Sequence, residues 1–405
     1  MTRAAYGPRS PLLPGKFIYI ACPLGTVGGG MFKVADYLIQ AQASAPAPQF
    51  AQLRALDTRG PGSPLQSIAV LGGALVRIAT GRLSGRLAGV HVNMAERLSV
   101  FRKGAIIVAC RALGVPVVLH LHAAQLPQSY SKLPALLRAA TRWVFSLATS
   151  VLVLGETARR FTVDVMRVPA GQVEVVFNGV PEPREHRSAR AAGDLQNILF
   201  LGNLSERKGV SDLLAALASP GFNRSALAVT LAGGGDVRRY ESQARALGLE
   251  RLVQFTGWCE QAQVGALLAQ ADVLVLPSYD EGLPLVILEA LASRVAVVCT
   301  PVGEIGSVLT HDVDVCLVQP GDVAGLAAAL ERVLHEPGLA ECLAGNGRAL
   351  YEQQFSMNRF FAHIAKIHQR DFGISAAAGE PAQCTPASTR NALLDKPSGP
   401  LKPSL

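Results

Sequence analysis

Two glutamates eight positions apart are the most informative chemical feature of the sequence. Glu281 lies in a Gly/Pro turn after an apolar run, and Glu289 falls about two turns into the predicted helix that follows. The N–H groups of Gly282 and Leu283 at the helix entrance, together with the helix dipole, would form a site for a sugar diphosphate. Glu289 could accept hydrogen bonds from the paired hydroxyls of a ribose. Solvated helix carboxylates at this spacing are common, so the pair does not identify the site by itself.

Two cations before another predicted helix point to the same kind of ligand. In FLGNLSERKGVSDLLAAL, an apolar strand and a Gly turn are followed by Arg207 and Lys208, and then by an apolar-periodic helix. Cations at a helix start oppose the helix dipole, and a bound diphosphate would supply the missing negative charge. A solvated basic turn is the alternative, and only the position relative to Glu281 favours the binding interpretation.

The first half of the sequence adds a glycine run and two histidines. Gly28, Gly29 and Gly30 directly precede a predicted helix, where the backbone could approach an anion closely, although a plain loop would look the same. His120 and His122 end a predicted strand, at the edge where open α/β sheets bind ligands. Strand alternation puts both histidines on one face, and His122 is nearer the loop. We therefore expect His122 to face the site and His120 to be structural.

No metal site is expected. The HDVD segment at 311–314 resembles a metal-binding DxD motif, but it precedes a short CLVQP strand without further acidic residues, which favours a turn. The seven cysteines form no CxxC pair and have no histidine at metal-ligand spacing, so the sequence predicts no structural zinc and a reducing cytoplasm.

Apolar strand patterns alternate with helical patterns in both halves, which predicts two doubly wound α/β lobes with parallel sheets. The predicted strands are KFIYIAC (16–22), VPVVLHL (115–121), SVLVL (150–154), VEVVF (173–177), NILFLG (197–202), LAVTLAG (227–233), LVQFTG (252–257), DVLVLP (272–277) and VAVVCT (295–300). The predicted divisions are a first lobe over 1–182, a linker over 183–196, a second lobe over 197–356, a helix at about 357–372 that packs back on the first lobe, and a disordered tail over 374–405.

Composition excludes several classes of protein and divides the chain electrostatically. With 405 residues, 49% hydrophobic and 17% charged, the chain is long enough for two domains and too apolar for global disorder. Its apolar stretches are too short to span a membrane, and the first residues lack a cleavage site. Residues 1–180 hold 19 Lys and Arg against 6 Asp and Glu, and the remainder holds 19 against 24. The cationic first half should face an anionic partner, and the lack of nucleic-acid motifs favours a membrane surface.

Taken in order, several segments resemble the donor lobe of glycosyltransferase family 4, which has the GT-B fold of two Rossmann-like lobes. The segments are LGNLSERKG, LAGGGD, VQFTGW, ADVLVLPSYDEGLPLVILEALA and PVGEIGSVL. The resemblance covers about residues 16–372 and is strongest over 197–320. HVNMAERLSVFRKG followed by VVLHLHAAQ is similar to members that build bacterial exopolysaccharides on lipid carriers.

The resemblance implies roles for individual residues. Glu281 and His122 would lie near the transferred sugar, Glu289 would bind the ribose, Lys208 would hold the diphosphate, and the loop at 28–30 would close over the phosphates. The sequence departs from the family pattern after Gly202, where a phosphate-binding arginine is replaced by Asn203 and Arg207 is the candidate substitute. It departs again at Gly306 and Ser307, which replace a Pro-Glu pair.

The sequence thus predicts a retaining hexosyltransferase that uses a nucleoside diphosphate sugar, needs no metal or other cofactor, and does not bind nucleic acid. The expected acceptor is a lipid-linked saccharide of surface or exopolysaccharide biosynthesis. The expected location is the cytoplasm, on the inner face of the plasma membrane. The alternatives are a sugar-nucleotide epimerase or hydrolase on the same fold, and a non-catalytic subunit that binds nucleotide sugars.

Overall fold

The computed structural model describes residues 15–24, 29–44, 51–60, 62–96, 98–185 and 195–374. The first lobe is built on a parallel sheet of six strands in the order β2-β1-β3-β4-β5-β6. The strands are β1 (Phe17–Cys22), β2 (Gln52–Asp57), β3 (Leu87–Met94), β4 (Val117–Leu121), β5 (Ser150–Val153) and β6 (Val173–Val175). The helices are α1 (Gly29–Ser44), α2 (Pro64–Leu83), α3 (Leu98–Ala112), α4 (Leu126–Ser131), α5 (Ala135–Ser146) and α6 (Glu156–Arg160).

The second lobe repeats this plan, with six parallel strands in the order β12-β11-β10-β7-β8-β9. The strands are β7 (Gln196–Leu201), β8 (Leu227–Ala232), β9 (Val253–Gly257), β10 (Val273–Leu276), β11 (Ala296–Cys299) and β12 (Cys316–Leu317). The helices are α7 (Val210–Ala218), α8 (Val237–Ala246), α9 (Gln261–Gln270), α10 (Leu285–Ala292), α11 (Ile305–Val308), α12 (Val323–His335), α13 (Leu339–Leu350) and α14 (Met357–Phe372).

Continuous apolar runs form the central strands of both sheets because helices cover both faces of a parallel sheet. Every residue of β5, β10 and β11 is buried. The predicted α/β class with two doubly wound lobes is therefore confirmed. Strands β2 and β3 were not predicted. Their sequences, QLRALD and LAGVHVNM, interrupt the apolar run with polar residues, two of which, His91 and Asn93, are fully buried.

Helix α14 returns from the second lobe and packs on the first. Asp371 accepts a hydrogen bond from the Ser150 hydroxyl at 2.6 Å, and His368 contacts His91 at 2.8 Å between ring nitrogens. A Cβ added to Gly89 would meet the ring of Phe372 at 2.4 Å, so the helix approaches β3 closely. Of the predicted linker, residues 186–194 lie outside the described residues, as does the predicted tail from residue 375 onward.

The order of the strands places a ligand-binding crevice in each lobe. Strand β1 lies between β2 and β3, and β7 lies between β8 and β10, so the chain order reverses beside the first strand of each sheet. Open α/β sheets bind ligands at such a switch point, outside the carboxyl ends of the strands. The two edges meet across a cleft, because a Cβ added to Gly282 after β10 would lie 3.9 Å from the Ala124 Cβ after β4.

Candidate functional site

Lys208 and Glu281 form a largely buried ion pair at the switch point of the second sheet. Lys208 follows β7 and Glu281 follows β10, the neighbouring strand, and their side chains are 12% and 8% exposed. The Ser278 hydroxyl donates a second hydrogen bond to the same Glu281 oxygen at 2.9 Å. Thr300 in turn donates to the Ser278 carbonyl at 2.5 Å. The pair thus holds one positive and one negative group at the edge of the sheet where a ligand would bind.

Two glycines allow these loops to approach each other. Gly209 has a φ of 67°, and a Cβ there would lie 2.0 Å from the Pro277 carbonyl oxygen. Gly303 has a φ of 62°, and a Cβ there would lie 1.9 Å from the Glu281 carbonyl oxygen. A side chain at either position would clash with backbone, so glycine is required for the basic turn and the loop after β11 to pack around Glu281.

The turn after Glu281 differs in detail from the prediction. Helix α10 begins at Leu285, so the N–H groups of Gly282 and Leu283 lie in the turn before the helix. The Gly282 carbonyl accepts a hydrogen bond from the Glu304 N–H at 3.0 Å. Glu289 is the fifth residue of α10 and lies about one turn into the helix rather than two.

Glu289 is buried, with 6% of its surface exposed, and meets the first lobe. Its Oε1 accepts hydrogen bonds from the Lys33 ammonium at 3.1 Å and from the Tyr37 hydroxyl at 2.9 Å, and both donors lie on α1. Burial, followed by the Glu289 charge, raises the pKa of Tyr37. The Glu289 Oε2 is buried without a hydrogen-bond partner. One oxygen of this carboxylate is therefore available to a ligand hydroxyl.

The other two candidate residues of this region, Arg207 and Asn203, are more exposed than Lys208. The Arg207 guanidinium is exposed and donates to the Asp280 carbonyl at 2.9 Å, which directs it to the loop that carries Glu281. Asn203, in the place of the family's arginine, is also exposed. The structure therefore brings Arg207, but not Asn203, into contact with the Glu281 loop.

The sequence predicts that the glycine run precedes a helix, but the structure places part of the run inside the helix. Helix α1 begins at Gly29, so Gly29 and Gly30 form its first turn, and Gly28 lies outside the described residues. A Cβ added to Gly30 would lie 3.8 Å from the Leu285 side chain of α10. The start of α1 therefore lies against the helix that carries Glu289.

His122 is half-buried, one residue past β4, and its Nε2 lies 3.2 Å from the Asn93 Oδ1. Its ring centroid lies 4.2 Å from that of the fully buried His120, which contacts His91. Burial, helped by His91, lowers the pKa of His122 to about 3, and burial lowers the pKa of His91 to about 4. His122 is therefore neutral at physiological pH and offers a hydrogen bond rather than a charge.

Glu304 joins the two lobes and was not recognised as a site residue from the sequence. It is buried, and its carboxylate accepts hydrogen bonds from the Ala158 N–H at 2.8 Å and from the Ser307 hydroxyl at 3.1 Å. Ala158 lies on α6 of the first lobe, so Glu304 caps a helix across the cleft. Asn93, Lys33 and Tyr37 were also missed, and only the polar HVN sequence within an apolar run could have drawn attention to Asn93.

The HDVD segment forms a turn, as predicted. The Asp312 N–H donates to the Val315 carbonyl at 2.8 Å, and the segment precedes β12, so it lies at the edge of the sheet opposite the Lys208–Glu281 pair. Among the described residues, the ligand atoms of His311, Asp312 and Cys316 lie within 4.8 Å of one another. His311 Nδ1 already accepts the Leu317 N–H, and Asp312 pairs with Arg332.

Two doubly wound lobes with facing carboxyl edges are the architecture of the GT-B fold. Residues 182–350 match the family described as Glycosyl transferases group 1, and residues 90–184 match Glycosyltransferase Family 4. The two matches together run from residue 90 to residue 350, so the chain resembles these glycosyltransferases in parts of both lobes.

Relatives and solved structures agree with these matches. TuaC of Bacillus subtilis, a glycosyltransferase named for teichuronic acid biosynthesis, is 32% identical over 58% of this chain and 59% of its own length. The amylovoran biosynthesis glycosyltransferase AmsK of Erwinia amylovora is 28% identical over 51% of this chain and 52% of its own. The matches with the first relatives cover only 59–63% of those proteins.

Two solved structures show the same fold. Anabaena HepE in complex with UDP and glucose has a TM-score of 0.68 and 19% identity, covering 87% of this chain and 99% of that one. Sucrose-phosphate synthase of Thermosynechococcus elongatus has a TM-score of 0.70 and 19% identity, covering 89% of this chain and 100% of that one. No helix in the described part of the chain has both the length and the apolar character needed to cross a membrane.

Proposed function

We propose that this protein transfers a hexosyl unit from a nucleoside diphosphate sugar to a hydroxyl of a lipid-linked saccharide, with retention of the anomeric configuration. The observation that carries the proposal is the buried Lys208–Glu281 pair at the switch point. The unpartnered oxygen of Glu289 on the following helix adds an acceptor for ribose hydroxyls. One crevice thus offers a cation for the diphosphate and two carboxylates for sugars.

The reaction would depend on electrostatic stabilisation. Lys208, Arg207 and the N–H groups of Gly282 and Leu283 would offset the charge that develops on the leaving diphosphate. The leaving phosphate would take the proton from the acceptor hydroxyl. Glu281 and the neutral His122 would orient the transferred sugar. No metal enters this scheme, because protein groups meet the diphosphate charge.

Closure of the cleft would keep water away from the donor. Glu289 contacts Lys33 and Tyr37, and Glu304 caps α6, so two carboxylates of the second lobe bind groups of the first. Exclusion of water would limit hydrolysis of the donor and favour transfer to the acceptor.

The acceptor and the location are proposed from relatives and from the surface of the first lobe. TuaC and AmsK are named for teichuronic acid and amylovoran biosynthesis. Helix α5 exposes apolar side chains at Leu136, which is 80% exposed, and at Trp143, which is 54% exposed. Arg138 and Arg142 lie one turn apart on the same helix. We therefore place the protein in the cytoplasm, with the first lobe on the anionic inner face of the plasma membrane.

The experiment is incubation of the purified protein with a panel of labelled nucleoside diphosphate hexoses and membrane lipids of the source organism. We expect the label in a lipid-linked saccharide, with the anomeric configuration of the donor retained in the product's NMR spectrum. Mass spectrometry of the lipid-linked intermediates that accumulate after gene deletion would identify the acceptor.

The other outcomes separate the alternatives. Label in an epimeric sugar nucleotide would show an epimerase, and label in free hexose would show a hydrolase. Donor binding without turnover on any lipid fraction would favour a non-catalytic binding subunit, in keeping with Asn203 in place of the family's arginine.

A further inference from the structure

Two arginines flank the switch point of the first lobe. Arg59 comes two residues after β2, and Arg102 lies in α3, the helix that follows β3. Strand β1 runs between β2 and β3, so both arginines come after strands that flank β1, near the carboxyl edge of the sheet. This is where an open α/β sheet binds ligands, and in this lobe the proposed function assigns no cation to it.

A buried lysine fixes the position of both arginines. Lys103 is fully buried, and its ammonium donates to the Ala21 carbonyl at 2.8 Å and to the Thr58 hydroxyl at 2.6 Å. Thr58 precedes Arg59 and Lys103 follows Arg102, so these two hydrogen bonds join α3 to the ends of β1 and β2. The backbone on which both arginines lie is therefore held in place by these hydrogen bonds.

Neither guanidinium has an acceptor among the described residues. The Arg102 Nε is buried without a hydrogen-bond partner. The nearby Asp57 uses its Oδ1 to accept the N–H groups of Arg59 and Gly60, at 2.9 Å and 3.1 Å. Burial and the positive charge of Arg59 both lower the pKa of Arg102. Two adjacent, half-buried guanidinium groups that have no hydrogen-bond acceptor among the described residues are unfavourable unless an anionic ligand binds between them.

The surroundings indicate an anion attached to a lipid. Leu98 and Phe101, on α3 beside Arg102, are 70% and 49% exposed. Between Asp57 and Glu156 the sequence has 11 Lys and Arg and a single acid, Glu96. Guanidinium groups fit phosphate oxygens in a forked geometry, and two of them match the several oxygens of a diphosphate.

We propose that Arg59 and Arg102 bind the diphosphate of a lipid-linked acceptor, with the lipid chain running over Leu98 and Phe101. This inference rests on the proposed transfer to a lipid-linked saccharide and names the group by which that acceptor is recognised. The donor diphosphate belongs to Lys208 on the other lobe, so the cleft would hold two diphosphates, one on each side.

The test measures binding of geranyl diphosphate by calorimetry, with UDP present at saturation to block the donor site. We expect Arg59→Gln and Arg102→Gln each to weaken binding about tenfold or more, because each removes charge-assisted hydrogen bonds to phosphate. The matched control is Arg111→Gln, an exposed arginine in the last turn of the same helix, which should bind like the wild type. Circular dichroism checks the fold of each variant.

Three results would overturn the inference. The first is that the wild type does not bind geranyl diphosphate, and the second is that the Arg102→Gln variant binds it as tightly as the wild type does. The third result is an effect of Arg102→Gln on the binding of inorganic pyrophosphate but not on the binding of geranyl diphosphate. UDP binding by the same samples separates this inference from the proposed function. Loss of lipid diphosphate binding with intact UDP binding supports the acceptor site, whereas a wild type that binds no nucleoside diphosphate at all would contradict the donor site instead.

Discussion

One oxygen of Glu281 contacts both the Lys208 ammonium and the Ser278 hydroxyl. Replacing Glu281 should impair sugar transfer and leave donor binding nearly intact. We expect Glu281→Gln to lower kcat about 100-fold or more while nucleoside diphosphate binding stays within a few-fold of wild type, because its proposed partner is the sugar. Single-turnover transfer and calorimetry with the nucleoside diphosphate would measure the two quantities. The control is Glu206→Gln, which removes an exposed carboxylate from the basic turn. Near-normal turnover of Glu281→Gln would exclude the assigned role.

Glu289 should act mainly on donor affinity, since its buried Oε2 is unpartnered and two hydrogen bonds from a ribose to a charged acceptor are worth roughly 1.5–3 kcal/mol each. We expect Glu289→Ala to raise the donor KM by about tenfold or more. Lys33→Met is the matched control, because it removes one of the two hydrogen bonds that Glu289 accepts from the first lobe and leaves both carboxylate oxygens in place. A donor KM that rises equally in both variants would assign Glu289 to lobe contact rather than to ribose.

Helix α5 is the element on which the proposed membrane contact depends. Leu136, Leu137 and Trp143 are exposed, as a membrane-binding face requires, whereas Phe145 is fully buried and belongs to the core of the lobe. Each basic residue near an anionic leaflet contributes about 1 kcal/mol, so Lys132, Arg138 and Arg142 together can hold the protein reversibly. Replacing all three by Glu should abolish co-sedimentation with anionic vesicles at low salt, and high salt should release the wild type.

The control for this test is the triple variant Arg238→Glu, Arg245→Glu, Arg251→Glu, which makes the same change of net charge at exposed positions of the second lobe. It should still sediment with vesicles. If the α5 variant is folded and binds anionic vesicles like the wild type, the membrane contact lies on another element.

The strands that are easiest to predict from the sequence are those built almost wholly from apolar residues. Strands β5, β10 and β11 are buried throughout and consist mainly of Val, Leu, Ala and Cys, so the apolar run is itself the signal. Strand β3 was missed because His91 and Asn93 are buried among histidines and helix α14, where ring and amide groups find partners that no local pattern reveals.

The residues of the candidate site also fall into two groups, those whose proximity the sequence predicts and those whose proximity it does not. Lys208 and Glu281 both follow strands of one parallel sheet, so the predicted fold already places them at the same carboxyl edge, and the strand order makes them neighbours. Lys33, Tyr37 and Glu304 act across the cleft, and their contacts depend on how two separately folded sheets face each other. Nothing in the local spacing of a single sequence encodes that placement.

The buried histidines should make the whole molecule sensitive to acid. The pKa values of His91, His120, His122 and His368 all lie below the ordinary 6.5, mainly because of burial. Below about pH 6.5 the unfolded chain therefore binds more protons than the folded chain. The free energy of unfolding is at its full value above that pH and decreases as the pH falls. With a folded pKa of about 4, His91 alone should lower the free energy of unfolding by about 2 kcal/mol at pH 5.

Denaturant unfolding at pH 7.5 and pH 5 would measure this loss. His91→Gln should reduce the difference between the two conditions by about 2 kcal/mol, since Gln does not titrate. The control is His311→Gln, at an exposed position outside this cluster. Equal stability of the wild type at both pH values would contradict the neutral histidine cluster.

Helix α14 has a consequence for how the protein is made. The first lobe needs His368, Asp371 and Phe372 to cover β3 and the start of β5, yet these residues leave the ribosome only after the whole second lobe has been synthesised. Domains generally fold as units during synthesis, from the N-terminal end onward. Here we expect the reverse order, in which the second lobe completes its core first. Part of the sheet of the first lobe stays exposed until α14 has been synthesised and packs on it.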